Sequence, residues 1–276
     1  MAESHISVSR RTRHWVFLGL FLVIGVTMAS GVRIATGTSP QTERMFNFIG
    51  ELPPGSILLV SFDHEASALP EIEPIALALL RHAFIKDLHI IGMALYPEGT
   101  AIGYRLLEQV AGEYNKVYGS DYAYLGFRPQ YIAAILSLAE SFERTFPQDY
   151  LSNRYEDLPV LAGVATYDDV AAVLSIADGS LTTHWMEYGA AQHDLTVLAG
   201  VTAAMVTTYD PYLASGQMRA MIGGLRGAAQ YERLIGRGGG GARGMLAQSA
   251  AHVYVIVLII LGNIAYWRSR RTGGRS

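Results

Sequence analysis

The stretch SILLVSFDHEASALPEIEPIALALLRHAFIKDLHIIGMAL, residues 56–95, decides the fold. It opens with Ser56 to Phe62, a mostly apolar run of strand length that comes after the turn signal Pro53-Pro54-Gly55. Glu73 to Lys86 has a helical pattern, with Pro74 in a first-turn position that tolerates proline. Leu88 to Leu95 is a second apolar run. Strands that are apolar on both faces need cover on both sides, and a helix joining two of them makes a parallel unit.

The alternation continues downstream. A helix is expected from about Thr100 to Asn115, a short strand from Tyr122 to Leu125, and a helix from Pro129 to Phe146 that Pro147 ends. A polar, proline-bearing loop covers Gln148 to Pro159. Val170 to Ala177 reads as a buried strand, Ser180 as the N-cap of a helix reaching Ala191, and Leu195 to Val201 as another strand. A final helix is expected from Tyr212 to Leu234. The pattern predicts an α/β fold: a Rossmann-like, mostly parallel sheet with helices on both faces.

Outside this core lie two long apolar segments, Trp15 to Val32 and Met245 to Trp267. Neither contains Lys, Arg, Asp or Glu, and each has about the ~20 residues that a helix needs to cross ~30 Å of hydrocarbon. The expected organisation is a tail (1–14), a transmembrane helix (15–36), an α/β domain (37–236), a flexible glycine-rich tether (237–244, RGGGGARG), a second transmembrane helix (245–267) and a tail (268–276). Arg10, Arg11 and Arg13 precede the first span, and Arg268, Arg270, Arg271 and Arg275 come after the second. Positive charge stays on the cytoplasmic side, so both termini are expected inside and the domain outside. The alternative for the first segment is a cleaved signal peptide, with small residues near Ala29-Ser30.

Composition excludes several function classes. There is no cysteine, hence no disulfide, thiol nucleophile or thiolate metal site. With 21 basic against 24 acidic residues, net charge is −3, and no basic stripe outside the tails suggests a nucleic-acid partner. No glycine-rich phosphate loop comes after a strand, and no nucleophile elbow is present, so the motifs name no cofactor.

In an open parallel sheet, ligands bind beyond the carboxyl ends of the strands. That rule selects Asp63, His64, Glu98, Arg128, Asp178, Ser180 and Thr202 as candidate ligand-binding residues. Asp63, His64 and Asp178, with Glu98, also have the chemistry to hold a divalent cation and activate water, which gives the alternative of an extracytoplasmic metal-assisted hydrolase. The commoner role of Asp, Ser and Thr in strand–helix turns is to cap helices. Ser180 and His184 share a helical face, but a pair within one turn lacks the geometry of a catalytic pair from separate elements.

Other features point to assembly. Tyr114, Tyr118, Tyr122, Tyr124 and Tyr131 cluster in sequence, and tyrosine suits interfaces as well as outer core. Gly223, Gly224, Gly227, Ala228 and Ala229 permit close helix approach, or mark a helix break. The helix from Glu73 to Lys86 is apolar on most faces, which suggests contact with another subunit, another protein or the membrane. Met45 to Ile49 suits a membrane interface, and His252 and Asn263 are the strongly polar residues of the second span. The expected function is a membrane-anchored α/β module that assembles with itself, as a homo-oligomer, or with partner membrane proteins. Binding of a small polar ligand at the strand ends is an additional expected role.

Overall fold

In the computed structural model, the strand predicted from Ser56 is β1 (Ile57–Asp63), the centre of a six-stranded, all-parallel sheet. The structure describes residues 10–30, 32 and 37–273. The outer parts of both tails and the end of the first span (residues 1–9, 31, 33–36 and 274–276) lie outside the described residues. The chain divides into two compact units, residues 36–242 and the two terminal segments, 1–35 with 243–276.

In the first unit the order along the sheet is β3-β2-β1-β4-β5-β6, with β2 at His89–Ala94, β3 at Tyr122–Phe127, β4 at Ala172–Ala177, β5 at Val197–Val201 and β6 at Ala220–Gly223. This is the doubly wound Rossmann order, and the sheet reverses direction of growth between β1 and β4. Alternate β1 residues enter two cores. Leu58, Val60 and Phe62 face the layer of α2 (Pro40–Glu51), α3 (Leu69–Ile85), α4 (Pro97–Glu113) and α10 (Gly224–Leu234). Leu59 faces the other layer, with α5 (Tyr131–Glu140), α6 (Phe142–Thr145), Trp185 and α9 (Val206–Ser215). Helices thus cover both faces, as the apolar strands require.

Several boundaries differ from expectation. The helix expected from Tyr212 to Leu234 is instead α9, the edge strand β6 and α10. Gly216 ends α9 in a left-handed conformation (φ 80°), and Gly224 opens α10 with φ 66°. The glycine pair therefore marks a strand-to-helix turn. The helix predicted over Pro129–Phe146 is broken at Ser141, which caps α6 through Arg144 N–H. Ser180 makes no side-chain cap on α7 (Leu181–His184), which runs into a π-helical segment, Trp185–Ala190, and a final turn, α8 (Ala191–His193).

Met45 and Ile49 belong to the domain core and not to a membrane interface: Ser39 caps α2, and both side chains are fully buried. The apolar excess of α3 is likewise used internally, since α2, α4 and α10 flank it as well as the sheet beneath.

In the glycine-rich segment helix α11 (Gly240–Gly273) begins, and the buried Glu232 carboxylate accepts from Gly241 N–H (2.9 Å) and Ala242 N–H (3.2 Å). A Cβ on Gly239 would lie 2.3 Å from Glu232, and one on Gly241 would lie 2.8 Å from Ala228 Cβ. The glycines and the small residues Ala228 and Ala229 are a close packing contact.

Helix α1 (Arg10–Ala29) and residues 240–268 of α11 are each long and apolar enough to cross a membrane. Tyr254 Oη donates to the Val16 carbonyl at 3.0 Å, and its ring lies where a side chain on Gly19 would fall.

Candidate functional site

The strand order reverses between β1 and β4, and in this class of sheet ligands bind at the carboxyl ends of the strands that flank such a reversal. Asp63 ends β1 opposite Ala177, so the strand register brings Asp63 and His64 beside Asp178. Glu98 arrives from the first turn of α4. The sheet therefore gathers four of the seven sequence candidates.

Each carboxylate in this group already holds a backbone amide of a neighbouring loop. Asp63 Oδ1 accepts from Leu95 N–H at 2.8 Å, and its Oδ2 from Trp185 Nε1–H at 3.3 Å. Asp178 accepts from Glu65 N–H at 3.0 Å and Glu98 from Ala66 N–H at 2.8 Å. A fourth acid, Glu71, accepts from Ala203 N–H at 3.1 Å and so ties α3 to the loop after β5. Tyr96 Oη donates to Glu65, and Tyr209 Oη to the Gly179 carbonyl. The carboxyl edge is laced together by charge-assisted hydrogen bonds between loops distant in sequence.

Packing closes the same edge. A Cβ on Gly99 would lie 1.9 Å from the Phe62 carbonyl oxygen, and one on Gly103 would lie 2.5 Å from the Phe62 ring. Only glycine lets α4 sit this close to the end of β1.

Burial shapes the electrostatics. Asp63 is 2% exposed, and its carboxyl is raised to about 6: burial outweighs the Leu95 and Trp185 hydrogen bonds, and the Asp178 charge adds to it. His64 is fully buried, and burial lowers its pKa despite the nearby acids. Its Nδ1 lies 3.3 Å from the Glu65 carbonyl, which identifies Nδ1 as the protonated nitrogen. Its Nε2 is then an acceptor, buried without a hydrogen-bond partner.

The remaining candidates lie elsewhere or are unengaged. Arg128 comes after the edge strand β3, two strands away from β1, with its guanidinium 6.0 Å from the Phe146 ring centre. Ser180 is exposed at the turn after β4, and Thr202 is buried at the end of β5 without capping the adjoining turn. Among the described residues, no three His, Asp or Glu side chains are grouped so as to hold a metal ion. Sequence reasoning missed Glu71, Tyr96, Trp185 and Tyr209. None carries a local signal, since their partners lie in distant loops; Trp185 reaches Asp63 from the π-helical segment.

A cleft of about 330 Å³ opens at the opposite, amino edge, among Ala190, Asp194, Thr196, Tyr212, Gln217 and Arg219. A second, of about 460 Å³, lies between α2, α3 and α10 beside Phe46, His82 and Ile235. There His82 Nδ1 is 2.7 Å from Tyr231 Oη and its ring stacks on Phe46 at 4.5 Å; burial lowers its pKa to about 4.

Comparison with family models, with curated proteins and with solved structures finds no match to this chain.

Proposed function

We propose that this chain is a two-pass membrane protein whose α/β domain, on the outer side of the bilayer, serves assembly with membrane partners and not catalysis. The supporting observation is the apolar surface of its terminal helices. Along α1, Trp15, Phe17 and Phe21 are 63–73% exposed, and no residue of that helix is buried. Aromatic and aliphatic surface of this extent, without protein cover, suits a hydrocarbon solvent. The arginines beyond both helices favour cytoplasmic tails.

The hydrolase alternative gains no support from the geometry. Asp63, Glu98 and Asp178 each have an oxygen committed to a loop amide, which is the work of a brace. One observation does favour a small polar ligand at this edge: His64 Nε2 is a buried acceptor without a partner, and a hydrogen-bond donor would satisfy it. Native mass spectrometry of the detergent-extracted chain tests this. A bound mass that His64→Ala loses supports the ligand; the bare chain mass in both overturns it.

The absence of cysteine makes the topology directly testable. Ser4→Cys marks the amino-terminal tail and Ser120→Cys the domain. In intact cells an impermeant maleimide is expected to label Ser120→Cys, and Ser4→Cys only after lysis. The opposite pattern reverses the orientation, and labelling of both in intact cells overturns two spans.

A further inference from the structure

The second span distributes its polar side chains unevenly. At 100° per residue, Gln248, Ser249, His252 and Asn263 fall within an arc of about 100°. Ile256 and Ile259 lie between them, giving the spacing 249, 252, 256, 259, 263 that alternates steps of three and four residues. That is the seam of a left-handed helix pair. All six of these side chains are exposed.

The opposite face is occupied in the first half of the span. Tyr254 lies about 180° from Asn263, and it is the residue that meets α1 through Val16 and Gly19. Ala247, Tyr254 and Leu258 on that side are buried or half-buried, and beyond them Leu261 and Ala265 are exposed. So α1 meets the tyrosine face in the first half of the span, and the polar face is left without a partner among the described residues along its whole length.

Resting on the membrane reading above, we propose that this polar face pairs with the same face of a second copy of this chain. An amide, an imidazole or a hydroxyl facing lipid lacks hydrogen-bond partners, which favours helix association through such groups. Each of these groups is both donor and acceptor, so the face complements itself. Two copies inserted with one topology run parallel, and a two-fold axis along the membrane normal sets each residue opposite its equivalent. Asn263 then bonds Asn263, His252 bonds His252, and the two isoleucines pack between.

Single cysteines in the full-length, membrane-embedded chain test this, since the parent contributes none. Under mild oxidation, Ile256→Cys and Ile259→Cys are expected to give a disulfide-linked dimer, whereas Val257→Cys, about 100° to the side of Ile256, is not. In unoxidised samples, Asn263→Leu is expected to lower the association constant about threefold, the usual weight of one interhelical hydrogen bond in a bilayer. Equal crosslinking at all three positions overturns the seam. So does no crosslinking in a chain that resists alkaline carbonate, or crosslinking to a product of different mass. Release of the chain by carbonate would instead overturn the membrane reading itself, and the pairing with it.

Discussion

The two edges of the sheet bury titratable groups in opposite manners. At the carboxyl edge, Asp63 meets the Leu95 amide, the Ser61 hydroxyl and the Trp185 indole, and has Asp178 nearby. At the amino edge, His82 meets a tyrosine hydroxyl and an aromatic ring, with the Lys86 charge adding to the effect of burial. Burial opposes ionisation of both, raising the acid and lowering the base. The difference lies in what the partners can accept. The Asp63 partners need an acceptor, which either form of the carboxyl offers but the anion offers best. Tyr231 is served fully by neutral imidazole. Burial alone therefore marks no function; what distinguishes the carboxyl edge is that its acids join separate loops.

The largest effect should come from prising that edge apart. Gly99→Ala places a Cβ 1.9 Å from the Phe62 carbonyl, so α4 must move off β1 and the Asp63–Leu95 and Glu98–Ala66 contacts go with it. A loss of about 3 kcal/mol or more is expected, at the upper end of overpacking costs. Gly112→Ala, in the same helix with nothing within 4 Å, should instead be stabilising by up to ~1 kcal/mol. Urea denaturation of the detergent-solubilised variants checks both. Two changes of like sign would mean that the carboxyl edge is less tightly closed than its glycines imply.

The two buried groups also respond to pH with opposite sign. Asp63 titrates at about 6 in the fold, against 3.8 for a free carboxyl. Its contribution is fully present below about 4 and is lost as pH rises through 6. His82 titrates at about 4, against 6.5 for a free imidazole, so its contribution is full above 6.5 and is lost as pH falls towards 4. At roughly 1.4 kcal/mol per pKa unit, each effect amounts to roughly 3 kcal/mol, and across this window the two largely cancel. Asp63→Asn should unmask a loss of stability on acidification, and His82→Gln a gain. Parallel stability profiles of the two variants between pH 4.5 and 7.5 would remove the contrast between the edges.

This contrast is only partly legible in the sequence. Five strands and the Rossmann-like class emerge from apolar runs such as Leu88–Leu95, because a strand covered on both faces excludes polar residues wherever it lies. The edge strand Ala220–Gly223 is not legible, since three apolar residues before two glycines carry no period. Asp63, His64, Glu98 and Asp178 stand out by their position after strands, and the topology does bring them to one edge of the sheet. Their partners are hidden: Leu95, Ala66 and Glu65 contribute backbone amides, and an amide leaves no trace in the side-chain alphabet. The segment RGGGGARG shows the same limit. Its glycines read as freedom of the chain, whereas Glu232 and Ala228 require them for close approach.

A smaller effect than those of pH isolates His82 from its setting. Tyr231→Phe keeps the ring that packs beside Phe46 and removes only the hydroxyl 2.7 Å from His82 Nδ1. The buried nitrogen is left without its partner, at a cost of about 1–2 kcal/mol near neutral pH. Because the imidazole stays buried, its pKa should remain low, and its own contribution should still be lost on acidification. A His82 resonance tracked by NMR separates the two contributions. If Tyr231→Phe returned its titration to the ordinary histidine range, hydrogen bonding and not burial would hold His82 neutral, and the amino edge would then resemble the carboxyl edge in depending on its partners.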